Sequence, residues 1–185
     1  MTTEDRRRWF AFLRAINTGT RRLTNDALVA PFVELGFRHV AAYQAAGNVT
    51  FVTDGGDAAE LEARLEAVLA DAYGFEVPAF VRRADELAAA IDPLPFTTGQ
   101  LAATEGRVQI TFLRHEPDPA AVAEALALVP DADAVVFSGR QWLWLPTGGV
   151  STSELAVSRI EQLVGPMTMR TVGTIERMLA RFADK

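Results

Sequence analysis

The sequence predicts an α+β protein built of two tandem halves, and three observations carry that reading. One order of elements (strand, helix, hairpin, helix, strand, helix) is spelled before residue 92 and again after residue 107. Short stretches match between the halves: Ala11-Phe12-Leu13-Arg14 beside Thr111-Phe112-Leu113-Arg114, and Asn48-Val49-Thr50-Phe51 beside Gln141-Trp142-Leu143-Trp144. Between them, Asp92-Pro93-Leu94-Pro95-Phe96-Thr97-Thr98-Gly99 is rich in proline and glycine, which suits a boundary between subdomains 1–96 and 97–185. A βαββαβ(α) unit is the ferredoxin-like motif, an antiparallel sheet with helices on one face, so two such units form an internal pseudo-dimer.

The first strand is Trp9-Phe10-Ala11-Phe12-Leu13, short, aromatic-rich and broken off into the polar loop Arg14 to Gly19. Thr24-Asn25-Asp26 supplies capping chemistry for a helix that carries Leu28, Phe32 and Leu35 and stops at Gly36. Pro31 inside it removes one hydrogen bond and predicts a bend. Residues 38–43 and 48–53 form a hairpin around Ala45-Ala46-Gly47. Asp57 to Glu60 is a capping box opening a helix with Leu61, Leu65, Val68 and Leu69 on one face, its acids on the solvated side, and Gly74 as its stop. A strand through residues 75–82 and a short alanine-rich helix, Ala84 to Ile91, close the half.

The second half opens with the strand Val108 to Arg114, after which Asp118-Pro119 starts a helix carrying Val122, Leu126 and Val129. Val135-Val136-Phe137 and Trp142-Leu143-Trp144-Leu145 flank the turn Ser138-Gly139-Arg140. A capping box at Ser151 to Glu154 predicts a helix with Leu155, Ile160, Leu163 and Val164 inward, and Gly165-Pro166 ends it. A strand through Met167 to Arg170 leads to a last helix with Ile175, Met178, Leu179 and Phe182 on one face. Phe10, Phe12, Leu65, Leu69, Phe112, Leu126, Leu163 and Leu179 are expected in the core.

Composition narrows the function. At 185 residues and 49% hydrophobic, the chain can bury a real core; without cysteine it has no disulfide, no thiolate chemistry and no Cys-type zinc site. No segment has the length and apolarity of a signal core or a bilayer span, which predicts a cytoplasmic protein off the membrane. The net charge of −6 argues against general nucleic-acid binding. Residues 1–55 hold seven Arg against five acids and form the only locally basic segment.

Leu13-Arg14-Ala15-Ile16-Asn17-Thr18-Gly19, Ala42-Tyr43 with Gly47-Asn48-Val49-Thr50-Phe51, Gly74-Phe75-Glu76-Val77-Pro78 and Thr168-Met169-Arg170 resemble the bacterial family known as domain of unknown function 1697. The resemblance covers nearly the whole chain and implies two ferredoxin-related α+β subdomains; it implies no activity. The chain departs from the family pattern at Ala15, where glycine is usual, and at Ala45-Ala46, where Gln-Ser is usual. The tail pattern Thr-x-Arg-Asn-Trp-x-Thr survives as Thr168, Arg170 and Thr174, a second candidate site.

The first candidate site is the pole where the end of the first strand, the start of the first helix and the hairpin tip meet. It gathers Arg14, Asn17, Arg21, Arg22, Tyr43 and Asn48. A helix N-terminus beside arginines suits a small anion; the competing reading is that the asparagines serve turn geometry and the arginines are solvated. The loop lacks P-loop spacing, and His39 and His115 lack metal-ligand spacing, so neither a cofactor nor a metal is expected. Trp142 and Trp144 share a sheet face, as core or as an exposed platform for a partner. Three function classes follow: a binding protein for a small anionic ligand, an enzyme at the same pole with no nucleophile or base named by the sequence, or a protein interaction module. Oligomeric state, monomer or homodimer, is left open.

Overall fold

A computed structural model gives the fold, and it describes residues 8–16, 23–44, 46–104 and 107–183. The elements are β1 Arg8–Leu13, α1 Asn25–Glu34, β2 Arg38–Tyr43, β3 Asn48–Val52, α2 Ala58–Tyr73, β4 Ala79–Arg83, α3 Ala84–Ile91, α4 Thr98–Ala103, β5 Gln109–Leu113, α5 Pro119–Leu126, β6 Ala134–Ser138, β7 Gln141–Leu145, α6 Val157–Val164, β8 Met167–Thr171 and α7 Val172–Phe182. Two four-stranded antiparallel sheets result, ordered β2-β3-β1-β4 and β6-β7-β5-β8. In each, the first strand of the half (β1 or β5) lies between its last strand and the second strand of its hairpin, so the halves are similar subdomains consistent with tandem ferredoxin-like units. By compactness the chain divides into residues 1–89 with 178–185, and residues 90–177.

In the first unit, Trp9, Ala11 and Leu13 point with Val49 and Phe51 toward Leu28, Phe32, Leu61, Leu65 and Leu69 of the helices. Phe37 stacks on Phe51 at 4.5 Å between ring centroids, and Phe32 tilts against both. Helix α1 runs through Pro31. Proline has no N–H to give Ala27, four residues back, and the Tyr73 hydroxyl donates to that carbonyl oxygen instead, at 2.7 Å. Phe10, Phe12 and Phe80, on the sheet's other face, are also fully buried.

Strand β4 is an edge, and three glutamates close it. Its outward N–H groups on Ala79, Val81 and Arg83 donate to Glu66 at 2.9 Å, Glu62 at 2.8 Å and Glu86 at 2.7 Å. Glu62 is fully buried and lies 3.6 Å from the buried Arg82 guanidinium. The solvated face expected for the acids of α2 is corrected at this residue, because Glu62 adjoins the apolar stripe of Leu61, Leu65 and Leu69 and its carboxylate is spent on the strand edge.

In the second unit, Trp142 and Trp144 are 0% and 1% exposed and pack with Leu113, Ile160, Val164 and Met167, which removes the exposed platform. Four further expectations are corrected. Leu126 is 42% exposed, because α5 turns Ala125 inward. Leu163 and Leu179 are half-buried rather than fully buried. The capping box expected at Ser151 to Glu154 does not open a helix: α6 begins at Val157 with no side-chain cap, and before it the Ser153 hydroxyl donates to Asp133 and accepts from the Leu155 N–H. The stretch 97–103 holds α4, opened by a capping box between Thr97 and Gln100.

Candidate functional site

At the first pole, β1 ends by hydrogen bonding both neighbouring loops. Leu13 N–H donates to the Gly47 carbonyl at 2.7 Å, and Arg14 N–H to the Pro78 carbonyl at 2.9 Å. The tip of the β2–β3 hairpin is thereby tied to the strand end that carries Arg14. Gly47 is required there twice over: its φ is +71°, and a Cβ would lie 2.8 Å from the Leu13 carbonyl oxygen. Ala15 at φ +60° and Gln44 at φ +52° share the left-handed conformation, so two of the three non-glycine residues with positive φ among the described residues stand at this pole.

The predicted site residues divide. Arg14 is half-exposed beside Ala15 and the buried Ile16. Asn48 is 1% exposed, and its side-chain amide donates to the Tyr43 carbonyl at 3.3 Å, closing the hairpin from inside. Tyr43 is buried, edge-on to Phe182 with 6.2 Å between centroids. Asn17, Arg21 and Arg22 lie outside the described residues. Helix α1 is capped by Thr24, whose hydroxyl accepts from Ala27 N–H at 3.2 Å.

The second candidate site is brought together in part. Arg170 donates to the Thr168 hydroxyl at 2.9 Å and to the Met169 carbonyl at 2.7 Å, and burial pushes its guanidinium down to about 10. Arg82 makes the same bond to the residue before it, at 2.9 Å to the Val81 carbonyl, from the matching position of β4. The Thr174 hydroxyl lies 2.9 Å from that of Thr171, just before α7, and the Thr174 N–H also donates to Thr171.

The second unit has an equivalent pole, which the sequence reading passed over. Leu113 N–H donates to the Arg140 carbonyl at 2.9 Å and Arg114 N–H to the Pro166 carbonyl at 3.3 Å, repeating the pattern of the first. Beside it opens a cavity of about 270 Å³ lined by Pro117, Pro119, Val122 and Phe137, with Glu116 as its charged group. The repeated element order was the signal that could have led to it. Among the described residues no cluster of three His, Asp or Glu could hold a metal ion, and no helix is long and apolar enough to cross a membrane.

Compared with known protein families, residues 7–142 match the one described as "Protein of unknown function (DUF1697)". The chain belongs to this family. Among solved structures, the conserved bacterial protein SP0830 from Streptococcus pneumoniae is similar with a TM-score of 0.72 at 20% identity, over 97% of this chain and 99% of that one. No curated protein matches. The likeness to the streptococcal protein shows a shared fold. Ala15 holds a left-handed φ, a conformation that glycine adopts without a Cβ penalty.

Proposed function

We propose that this member of the family is a cytoplasmic protein that binds a small anion at the pole of its first unit. Arg14, Asn17, Arg21 and Arg22 are the contact groups, and Tyr43 and Asn48 hold the hairpin beside them. The observation that supports the reading best is the gathering of left-handed backbone at Ala15 and Gln44 next to Arg14. Such conformations cost roughly 1–3 kcal/mol each and concentrate where a site demands them. The basic character of residues 1–55 in an otherwise acidic chain gives the sign of the ligand.

Thermal unfolding with phosphate, sulfate and nucleoside monophosphates tests it, on wild type and on Arg14→Ala/Arg21→Ala. A ligand that binds only the folded state raises the melting temperature. The expected result is a rise in wild type that shrinks with added salt and is lost in the variant. Equal responses in the two proteins would make the loop a structural turn.

A further inference from the structure

The two units have the same strand order but treat their edges differently. In the first, β4 is closed by Glu62, Glu66 and Glu86. Strand β2 is broken by a bulge between Arg38 and Ala41, with His39 at φ +48°. In the second, β6 has neither device. It is Ala134-Val135-Val136-Phe137-Ser138, with no charge, no proline and no bulge. Its first four residues are half-buried and Ser138 is exposed. The two-residue turn Gly139-Arg140 makes Ser138 and Gln141 a hydrogen-bonded pair, so Val136 and Ala134 bond to β7. The N–H and C=O groups of Val135 and Phe137 therefore point away from the sheet, and none is bonded among the described residues. The sheet's other edge, β8, carries the charged Arg170 and buries Met167 and Thr168 at one end, leaving less strand to pair.

We infer that β6 is a pairing edge for a second copy of this chain, joined antiparallel about Val136 so that two four-stranded sheets continue as one of eight strands. The strand is self-complementary in that register. Val135 faces Phe137 of the second copy, Val136 faces itself, and no like charges oppose. Directly opposed residues share a face, so Val135 of the second copy lies on the side of Phe137 and of the cavity formed with Pro117, Pro119 and Val122. Backbone pairing with an apolar seat for one side chain is the usual physics of strand addition.

The test is the mass of the full chain in solution, by sedimentation at concentrations up to about 100 μM, for wild type, Val136→Lys and Val136→Glu. Each variant sets two like charges face to face at the two-fold axis. Wild type should dimerise, each variant alone should weaken the dimer at least tenfold, and a mixture of the two should restore it. A wild type that stays monomeric, or variants that dimerise as well as wild type, would overturn the inference. Hydrogen exchange on wild type gives a readout independent of the variants' folding. The Val135 and Phe137 amides should gain protection as concentration rises, and protection that ignores concentration would also overturn it.

Discussion

Ala15 and Glu62 are two residues whose environments a sequence pattern cannot display. Each side chain is ordinary by type, and each is unusual only in where its neighbours put it. At Ala15 the backbone is left-handed, a conformation that costs an L-residue about 1–2 kcal/mol and glycine almost nothing. Replacing it with glycine also loosens the unfolded chain, which takes back about 0.5–1 kcal/mol. Ala15→Gly should therefore raise stability by about 0.5–1 kcal/mol in denaturant melts. A loss of stability would mean that the Ala15 methyl packs in a way that offsets its strain. Glu62 was legible only as an acid next to an apolar stripe at Leu61, Leu65 and Leu69. That it closes a strand edge depends on β4 arriving alongside α2, which is a tertiary fact.

At the scale of elements, hydrophobic period and caps were strong signals. Asp57 caps α2 through Glu60 N–H, and Gly74 ends it at φ +71°, as that pattern implies. Where a side chain had two possible uses, the pattern failed. The Ser151 to Glu154 capping box opens no helix, because the chain around it is held by the Ser153 bond to Asp133 and α6 begins at Val157. In α5 the small Ala125 rather than Leu126 meets the core, because hydrophobic period alone does not fix a short helix's rotation. The join between α1 and α2 makes a further prediction. Tyr73 gives its hydroxyl to the Ala27 carbonyl that Pro31 leaves without a donor, so Tyr73→Phe should cost about 1 kcal/mol at neutral pH. Burial raises the Tyr73 hydroxyl above its ordinary value of 10.0. That contribution is complete below pH 10.0 and fades as pH climbs through the folded-state value. Wild type and variant should thus differ by a constant amount at neutral pH and converge in alkali, as paired urea melts across pH would record. A gap that widens in alkali would contradict the raised value.

For the whole molecule, the repeated element order was enough to predict two similar antiparallel sheets, because a βαββαβ sequence has few ways to bury both helices on one face. The candidate site was less legible. Its position follows from topology, through the bond from Leu13 to Gly47, but Asn48 and Tyr43 turned out to hold structure together with groups that composition presents as available. We propose that the halves divide near residues 96 and 97. Limited proteolysis of the native chain should make its first cut between residues 92 and 99, and a first cut within α2 would remove that boundary.

Residues 178–182 of α7 group with the first unit, where Phe182 lies edge-on to Tyr43. On the ribosome, a chain growing at about 5–20 residues per second makes the second unit in the interval, so roughly 5–20 seconds separate Ala89 from Met178. Throughout that interval the first unit is an incomplete body waiting for its final piece. The segment made first is thus among the last to be finished, and a truncation at the far end of the chain should be felt beside Tyr43.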